Sequence, residues 1–307
     1  MSDKSHIEWT DATWNPILGC SKVSAGCEHC YAMRSVHRMA GNPNAKIAAA
    51  CAGLTKIING APGWTGRVNC LPERLEIPLR WRAPRRIFVA SQSDPFHPEV
   101  PDAFLDRMFA VMALTPQHSY QLLTKRPERM RVYLSVAGLQ ERLAEIAPDV
   151  ALDHDPCAAG WLEDRPWPLP NVIGMTSVED QAAADERIPA LLETPLAVRG
   201  ISLEPMLGPV DLTGFLCNSS GIRGDISDDL ACRPRGSSPF WVICGGESGP
   251  RARPMHPGWV RAVRDQCVAA GVAFFFKQGS AANWIDFKDF QSFPQDLQIR
   301  EFPHAEK

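Results

Sequence analysis

Apolar residues in this chain come in short continuous runs, each followed by a polar or glycine-bearing end and then by apolar positions at helical spacing. Residues 86–91 form the first clear run and are rich in strand formers. After them, Phe104, Leu105, Met108, Phe109 and Met112 recur three and four apart. Pro101 near the start and Pro116 beyond the end bound that helix. Residues 120–124 read as a second strand, with a helix from Pro127. Residues 171–176 read as a third, leading into a helix through Ala182, Ile188 and Leu191. Residues 196–203 and 241–244 supply two more. A last helix carries Trp259, Val260, Val263 and Cys267 and stops at Gly271, a residue suited to a left-handed helix end; strand 272–276 follows at once. With a strand near residues 13–17, about seven strands alternate with helices.

Strands that are apolar throughout are buried on both faces, and helices between them make the sheet parallel, so the fold class is α/β. The choice lies between a doubly wound sheet and a full or partial TIM-like (β/α) barrel. In both, ligands collect at the C-terminal ends of the strands. That rule selects Ser91 and Asp94, Thr124 and Lys125, Ser177 and Glu179, Glu204, Gly245 to Glu247, and Lys277 with Gln278. One polar strand end is ordinary turn chemistry, whereas a polar group at the end of every strand suggests the rim of one site. The chain reads as a single domain over 1–307 with insertions near 40–75, 135–170 and 217–239, each a lid, a partner surface or a surface excursion.

Composition narrows the class. Of the 307 residues, 45% are hydrophobic and 22% charged, so a core can form without help from a metal. The net charge of −3 does not suit a non-specific DNA coat protein, although binding in a local cleft is compatible with it. Arg80, Arg82, Arg85 and Arg86, interleaved with Trp81, form the strongest basic cluster. The polar start lacks a signal-peptide pattern, and no run approaches the ~18 apolar residues of a membrane span, so the expectation is a cytoplasmic protein without membrane contact. In that compartment the ten cysteines should be thiols or metal ligands. Seven are scattered singly and read as small core or loop residues.

Cys20, Cys27 and Cys30 are different. Their spacing is C-x6-C-x2-C, on a loop with Gly19 and Gly26 for backbone freedom. A closed zinc site needs four ligands, and the fourth here would be His29, His37 or a distant cysteine. Three cysteines alone suit a [4Fe–4S] cluster with one open iron. Cluster, zinc and unliganded thiols are the alternatives at this level, with the cluster preferred.

The motifs E-W-T-D-x-T-W-N-P and G-C-x5-G-C-x2-C-Y-A over residues 8–32, with S-Q-S-D-P-F-H (91–97), L-L-T-K-R-P (122–127), S-V-E (177–179), S-L-E-P-M-L-G-P-V (202–210), C-G-G-E-S-G (244–249) and F-K-Q-G (276–279), resemble the phage-associated three-cysteine family of radical-SAM-like proteins. The usual radical-SAM spacing is C-x3-C-x2-C, so the six-residue first gap is a departure. Asp94-Pro95-Phe96 and Thr124-Lys125 show a weaker likeness to spore photoproduct lyases.

The resemblance implies a partial (β/α) barrel of six to seven strands in which Cys20, Cys27 and Cys30 hold a [4Fe–4S] cluster. S-adenosylmethionine would lie across the strand ends, with Ser91, Asp94, Lys125, Ser177, Glu179 and Glu204 as its candidate contacts. Glu247 and Lys277 fall on the substrate side as candidate catalytic residues. The implied partners are a reductant protein such as a flavodoxin or ferredoxin, a nucleic acid or nucleotide as the favoured substrate, and a companion protein encoded nearby. Trp9, Trp14 and Tyr31 flank the cysteines, and packing around the cluster is preferred for them over base stacking.

Two other readings compete. One is a zinc-stabilised, non-catalytic nucleic-acid-binding protein of phage or mobile-element origin. The other is a hydrolase or transferase on a TIM-like barrel with Glu179 and Glu204 as acid and base, which leaves the three cysteines unexplained.

Overall fold

The computed structural model describes residues 4–151, 157–216, 240–284 and 286–303. Its strands are β1 (Ala12–Trp14), β2 (Ile17–Leu18), β3 (Thr55–Ile58), β4 (Ala61–Trp64), β5 (Asn69–Cys70) and β6 (Arg86–Val89). They continue with β7 (Ser119–Thr124), β8 (Val172–Ser177), β9 (Val198–Leu203), β10 (Phe240–Gly245) and β11 (Ala273–Gln278). The helices are α1 (Tyr31–Ala40), α2 (Ala45–Cys51), α3 (Asp102–Leu114), α4 (Pro127–Leu134), α5 (Leu139–Val150), α6 (Ala158–Glu163), α7 (Gln181–Glu193) and α8 (Pro257–Ala270).

Seven strands form one parallel sheet in the order β1, β6, β7, β8, β9, β10, β11. A doubly wound sheet reverses its strand order at a switch point, and this order never reverses. The sheet is therefore a curled half-barrel, the partial TIM-like alternative. Alternation along each strand separates its two faces. Phe88, Ile173, Met175, Val198, Trp241, Ile243 and Phe275 meet inside the curl around Trp9. Ile87, Val89, Leu122, Leu203, Val242 and Phe276 face outward under the helices. Burial on both faces is the reason these strands are apolar throughout.

Trp9 closes the lower end of the interior. Its ring lies 4.6 Å from Phe88 and 6.1 Å from Trp241, centroid to centroid. Gln121 Nε2 donates to the Trp9 carbonyl at 3.0 Å and fixes that segment across the barrel.

The first strand is shorter than the 13–17 run suggested. The chain leaves the barrel after Trp14, and Ile17 belongs to β2, which pairs antiparallel with β5. Pro16 stands between the two strands and has no N–H to continue a ladder.

Two of the expected insertions are structured. Residues 40–75 hold α2, the β3–β4 hairpin and β5, and pack with α1 in a second apolar cluster that includes Leu18, Met33, Val36, Leu54 and Trp64. Within residues 135–170, Leu139, Leu143, Ala147, Ala158 and Leu162 belong to the main core, so α5 and α6 pack against the body of the fold. The third segment, 217–239, lies outside the described residues.

Candidate functional site

A cavity of about 720 Å³ opens at the C-terminal ends of the barrel strands. The cysteine loop forms one wall. Cys20 follows β2, a short 3₁₀ turn spans Ala25–Cys27, and Cys30 stands at the N-cap of α1. All three thiols line the cavity. Gly19 has φ +90°, a conformation that a side chain would strain, and a Cβ there would sit 2.4 Å from the Arg67 carbonyl oxygen. Gly26 serves close approach and not backbone freedom, since its missing Cβ would meet Glu179 Oε2 at 3.0 Å and Lys125 Nζ at 3.1 Å.

Two carboxylate–arginine struts hold this loop. Asp94 accepts hydrogen bonds from Thr124 Oγ1 at 2.6 Å, from the Lys125 backbone N–H at 3.1 Å and from Arg126 Nη1 at 2.6 Å. Arg126 in turn donates to Ser21 Oγ at 2.8 Å and to the Ser21 carbonyl at 3.3 Å, and its Nη1 lies 3.9 Å from Cys20 Sγ. At the other end, Glu247 pairs with the Arg253 side chain and accepts its backbone N–H at 2.7 Å. Arg253 Nη2 then donates to the Ala25 carbonyl at 2.9 Å. The long gap between Cys20 and Cys27 is thus gripped near both ends.

Beneath the loop, Glu179 pairs with Lys125 at 2.8 Å and with Arg187 at 3.0 Å. Burial opposes its ionisation, but the Lys125 charge and the hydrogen bonds from Lys125 and Arg187 hold its carboxyl down to about 2. Glu204 and Lys277 form a further ion pair in the cavity. Ser91 Oγ donates to Asn15 Oδ1 at 3.0 Å, and Ser177 sits at the wall with its carbonyl accepting from Arg187 at 2.9 Å.

Of the expected site residues, Cys20, Cys27, Cys30, Ser91, Asp94, Lys125, Ser177, Glu204, Glu247 and Lys277 all line this one cavity. Glu179 does not. It is 1% exposed and lies below the wall, so its part is to support Lys125 and the loop, and a carboxyl held ionised there is poorly placed as a general acid. Glu247 reaches the loop through Arg253. The space over Gly246 belongs to the protein and not to a ligand, because a Cβ there would lie 2.7 Å from the Ser280 backbone. Gly246→Ala should cost about 1–3 kcal/mol in a urea titration, as overpacking does. An unchanged midpoint would mean that the two segments separate easily.

Sequence reasoning missed Arg126, Arg187 and Arg253. Arg126 adjoins a chosen residue, whereas nothing local marks Arg253 as the partner of the cysteine loop. The basic cluster dissolves on folding: Arg86 pairs with Asp11 at 2.7 Å, Arg80 pairs with Glu76, and Arg85 stacks on Trp81. His37 bonds Thr55 at 3.1 Å and does not line the cavity, while His29 does. Trp9 and Trp14 are buried packing residues, Trp9 at the floor of the cavity, whereas Tyr31, which also lines it, is 51% exposed.

The donor set suits an iron–sulfur cluster. Burial, then the Asp94 charge, push the Cys20 thiol up to about 12, and burial raises Cys30 as well. These thiols keep their protons unless a metal cation replaces them. The Val23 N–H at 3.5 Å from Cys27 Sγ and Arg126 beside Cys20 are donors of the kind that surround cluster sulfurs. Among the described residues, no three His, Cys, Asp or Glu side chains converge as they stand on the position of a single ion.

These features define an α/β half-barrel protein with three thiols on the wall of its C-terminal cavity. The chain belongs to the family described as "Protein of unknown function (DUF5131)", whose family profile matches residues 4–295. No curated protein and no solved structure matches it. Among the described residues, no helix is long and apolar enough to cross a membrane.

Proposed function

We propose that this protein is a radical-SAM-type enzyme in which Cys20, Cys27 and Cys30 hold a [4Fe–4S] cluster. The observation that carries the reading is the placement of three thiols on the wall of one large cavity at the strand ends of a parallel half-barrel. When bound, the cluster would supply the electron that breaks the S–C5′ bond of S-adenosylmethionine, giving methionine and a 5′-deoxyadenosyl radical, and a flavodoxin- or ferredoxin-like protein would replace that electron.

The chain's own residues have distinct tasks. Ser91, Lys125, Ser177 and Glu204 present hydroxyl, ammonium and carboxylate groups to a cofactor in the cavity. Glu204 is held by Lys277, so the pair offers an acceptor and a donor side by side. Asp94 and Glu247 act through Arg126 and Arg253, which fix the loop that carries the thiols. The favoured substrate is a nucleotide or nucleic acid.

The test is anaerobic purification with iron and sulfide analysis and an absorption spectrum, on the wild type and on Cys27→Ala. The expected result is a brown protein with about four irons per chain, lost in the variant. 5′-Deoxyadenosine should form when reductant and S-adenosylmethionine are added to the wild type. A colourless protein carrying one zinc would overturn the proposal and favour the zinc-stabilised binding protein.

A further inference from the structure

One helix face borders the cavity. Tyr31, Arg34, Ser35 and Arg38 of α1 all line it, at the i, i+3, i+4 and i+7 positions that share a helix side. Tyr31 begins the stripe beside Cys30. Its hydroxyl donates to the Ser91 carbonyl at 2.6 Å, which fixes the ring while half of its surface stays open.

The charges in the cavity divide into two sets. Those in its depth are matched: Lys125 with Glu179, Arg126 with Asp94 and Lys277 with Glu204. Arg34, Arg38 and Lys288 at the rim form no ion pair among the described residues. Among the described residues Arg34 bonds only the Pro250 carbonyl, at 3.3 Å, and Lys288 lies 5.7 Å from the Phe287 ring. Glu8 is the one lining carboxylate among the described residues that is likewise outside an ion pair. The rim therefore carries surplus positive charge on a chain whose net charge is −3, so overall basicity does not explain it. Unmatched cations at a concave mouth raise the local concentration of anions.

We infer that this wall binds a nucleoside with consecutive phosphates, the base stacking on Tyr31 and the phosphates meeting Arg34, Arg38 and Lys288. That this ligand is the substrate rests on the radical-SAM reading; that it binds here does not. Arg34 and Arg38 stand one turn apart, about 6 Å along the axis, and lead away from Cys30. The helix thus sets the base next to the thiols and the phosphates towards solvent. A fixed, open aromatic ring stacks any base, and guanidinium groups suit phosphate oxygens. The same chemistry is offered by a single strand or by a free nucleoside diphosphate.

The experiment measures binding of a labelled single-stranded oligonucleotide to the full-length protein, purified anaerobically, by fluorescence anisotropy across a salt series. Unlabelled oligonucleotide or nucleoside diphosphate then competes. The wild type should bind with an affinity that falls as salt rises. Arg38→Ala and Lys288→Ala should each reduce the log–log salt slope by about one, evenly across sequences. Tyr31→Ala should weaken binding about tenfold at an unchanged slope, and Tyr31→Phe far less. Displacement only by oligonucleotide identifies a strand, and equal displacement by the diphosphate identifies a free nucleotide; either supports the inference. Absence of salt-dependent binding by both probes, or variants that bind like the wild type, would overturn it. Iron content and 5′-deoxyadenosine yield are measured on the same wild-type preparation. If they fail while binding holds, only the radical-SAM reading falls; if they hold while binding fails, only the nucleotide inference falls.

Discussion

A Glu179→Ala protein should unfold in urea with about 3–5 kcal/mol less free energy than the wild type. Glu179 is the shared partner of Lys125 and Arg187, whose side chains are 14% and 3% exposed. Removing it leaves two cations in a poorly solvated place, which costs more than the pair itself contributes. Gly26 rests on the same Lys125–Glu179 pair, so the seat of the cysteine loop goes with it. The pH dependence follows in sign. The folded value of about 2 lies below the ordinary 4.5, so the stabilisation is complete above pH 4.5 and disappears as pH falls towards 2. Across that window the wild type should lose about 3 kcal/mol that Glu179→Gln does not lose. A Glu179→Ala protein as stable as the wild type would show that Lys125 and Arg187 find other partners.

If the proposed cluster is held by the three thiols, Arg126→Ala and Arg253→Ala should each weaken iron retention by about 10- to 100-fold in a chelator competition, the usual effect of losing a group that orients metal ligands. Each arginine links a buried carboxylate to the backbone of the cysteine loop, one at Ser21 and one at Ala25. Lysine should rescue poorly, because one ammonium cannot reproduce the planar fork that bonds Asp94, Ser21 Oγ and the Ser21 carbonyl together. In the proposed cluster protein, Arg126 should also act on the cluster's potential. Its cation beside Cys20 Sγ favours the more negative reduced state, so Arg126→Ala should shift the midpoint downward in a redox titration followed by electron paramagnetic resonance. Iron retention equal to the wild type in both variants, with the fold intact by circular dichroism, would mean that the thiols alone position the loop.

Much of the architecture is legible in the residues because it follows from local rules. A strand covered on both faces must be apolar throughout, and a helix at its end must show a periodic face, so six of the seven strands and the helices α3, α7 and α8 could be read directly. The cysteines announce themselves by spacing, and the polar strand ends by position. Ten of the eleven candidate residues do line the cavity, because parallel strands in sequential order bring all their C-terminal ends to one rim.

What the tertiary structure alone decided is how those residues are partnered and which of them are open. Glu179 follows a strand like the others, and only the arrival of Lys125 and Arg187 turns it from a surface candidate into a buried support. Arg253 reaches Ala25 across 228 residues, a distance over which no periodicity carries information. Trp9 and Tyr31 both line the cavity, yet one is packed into the barrel interior at 2% exposure and the other is half exposed. Local propensity specifies elements and their faces; charge pairing and exposure depend on which distant surfaces meet once the sheet has curled.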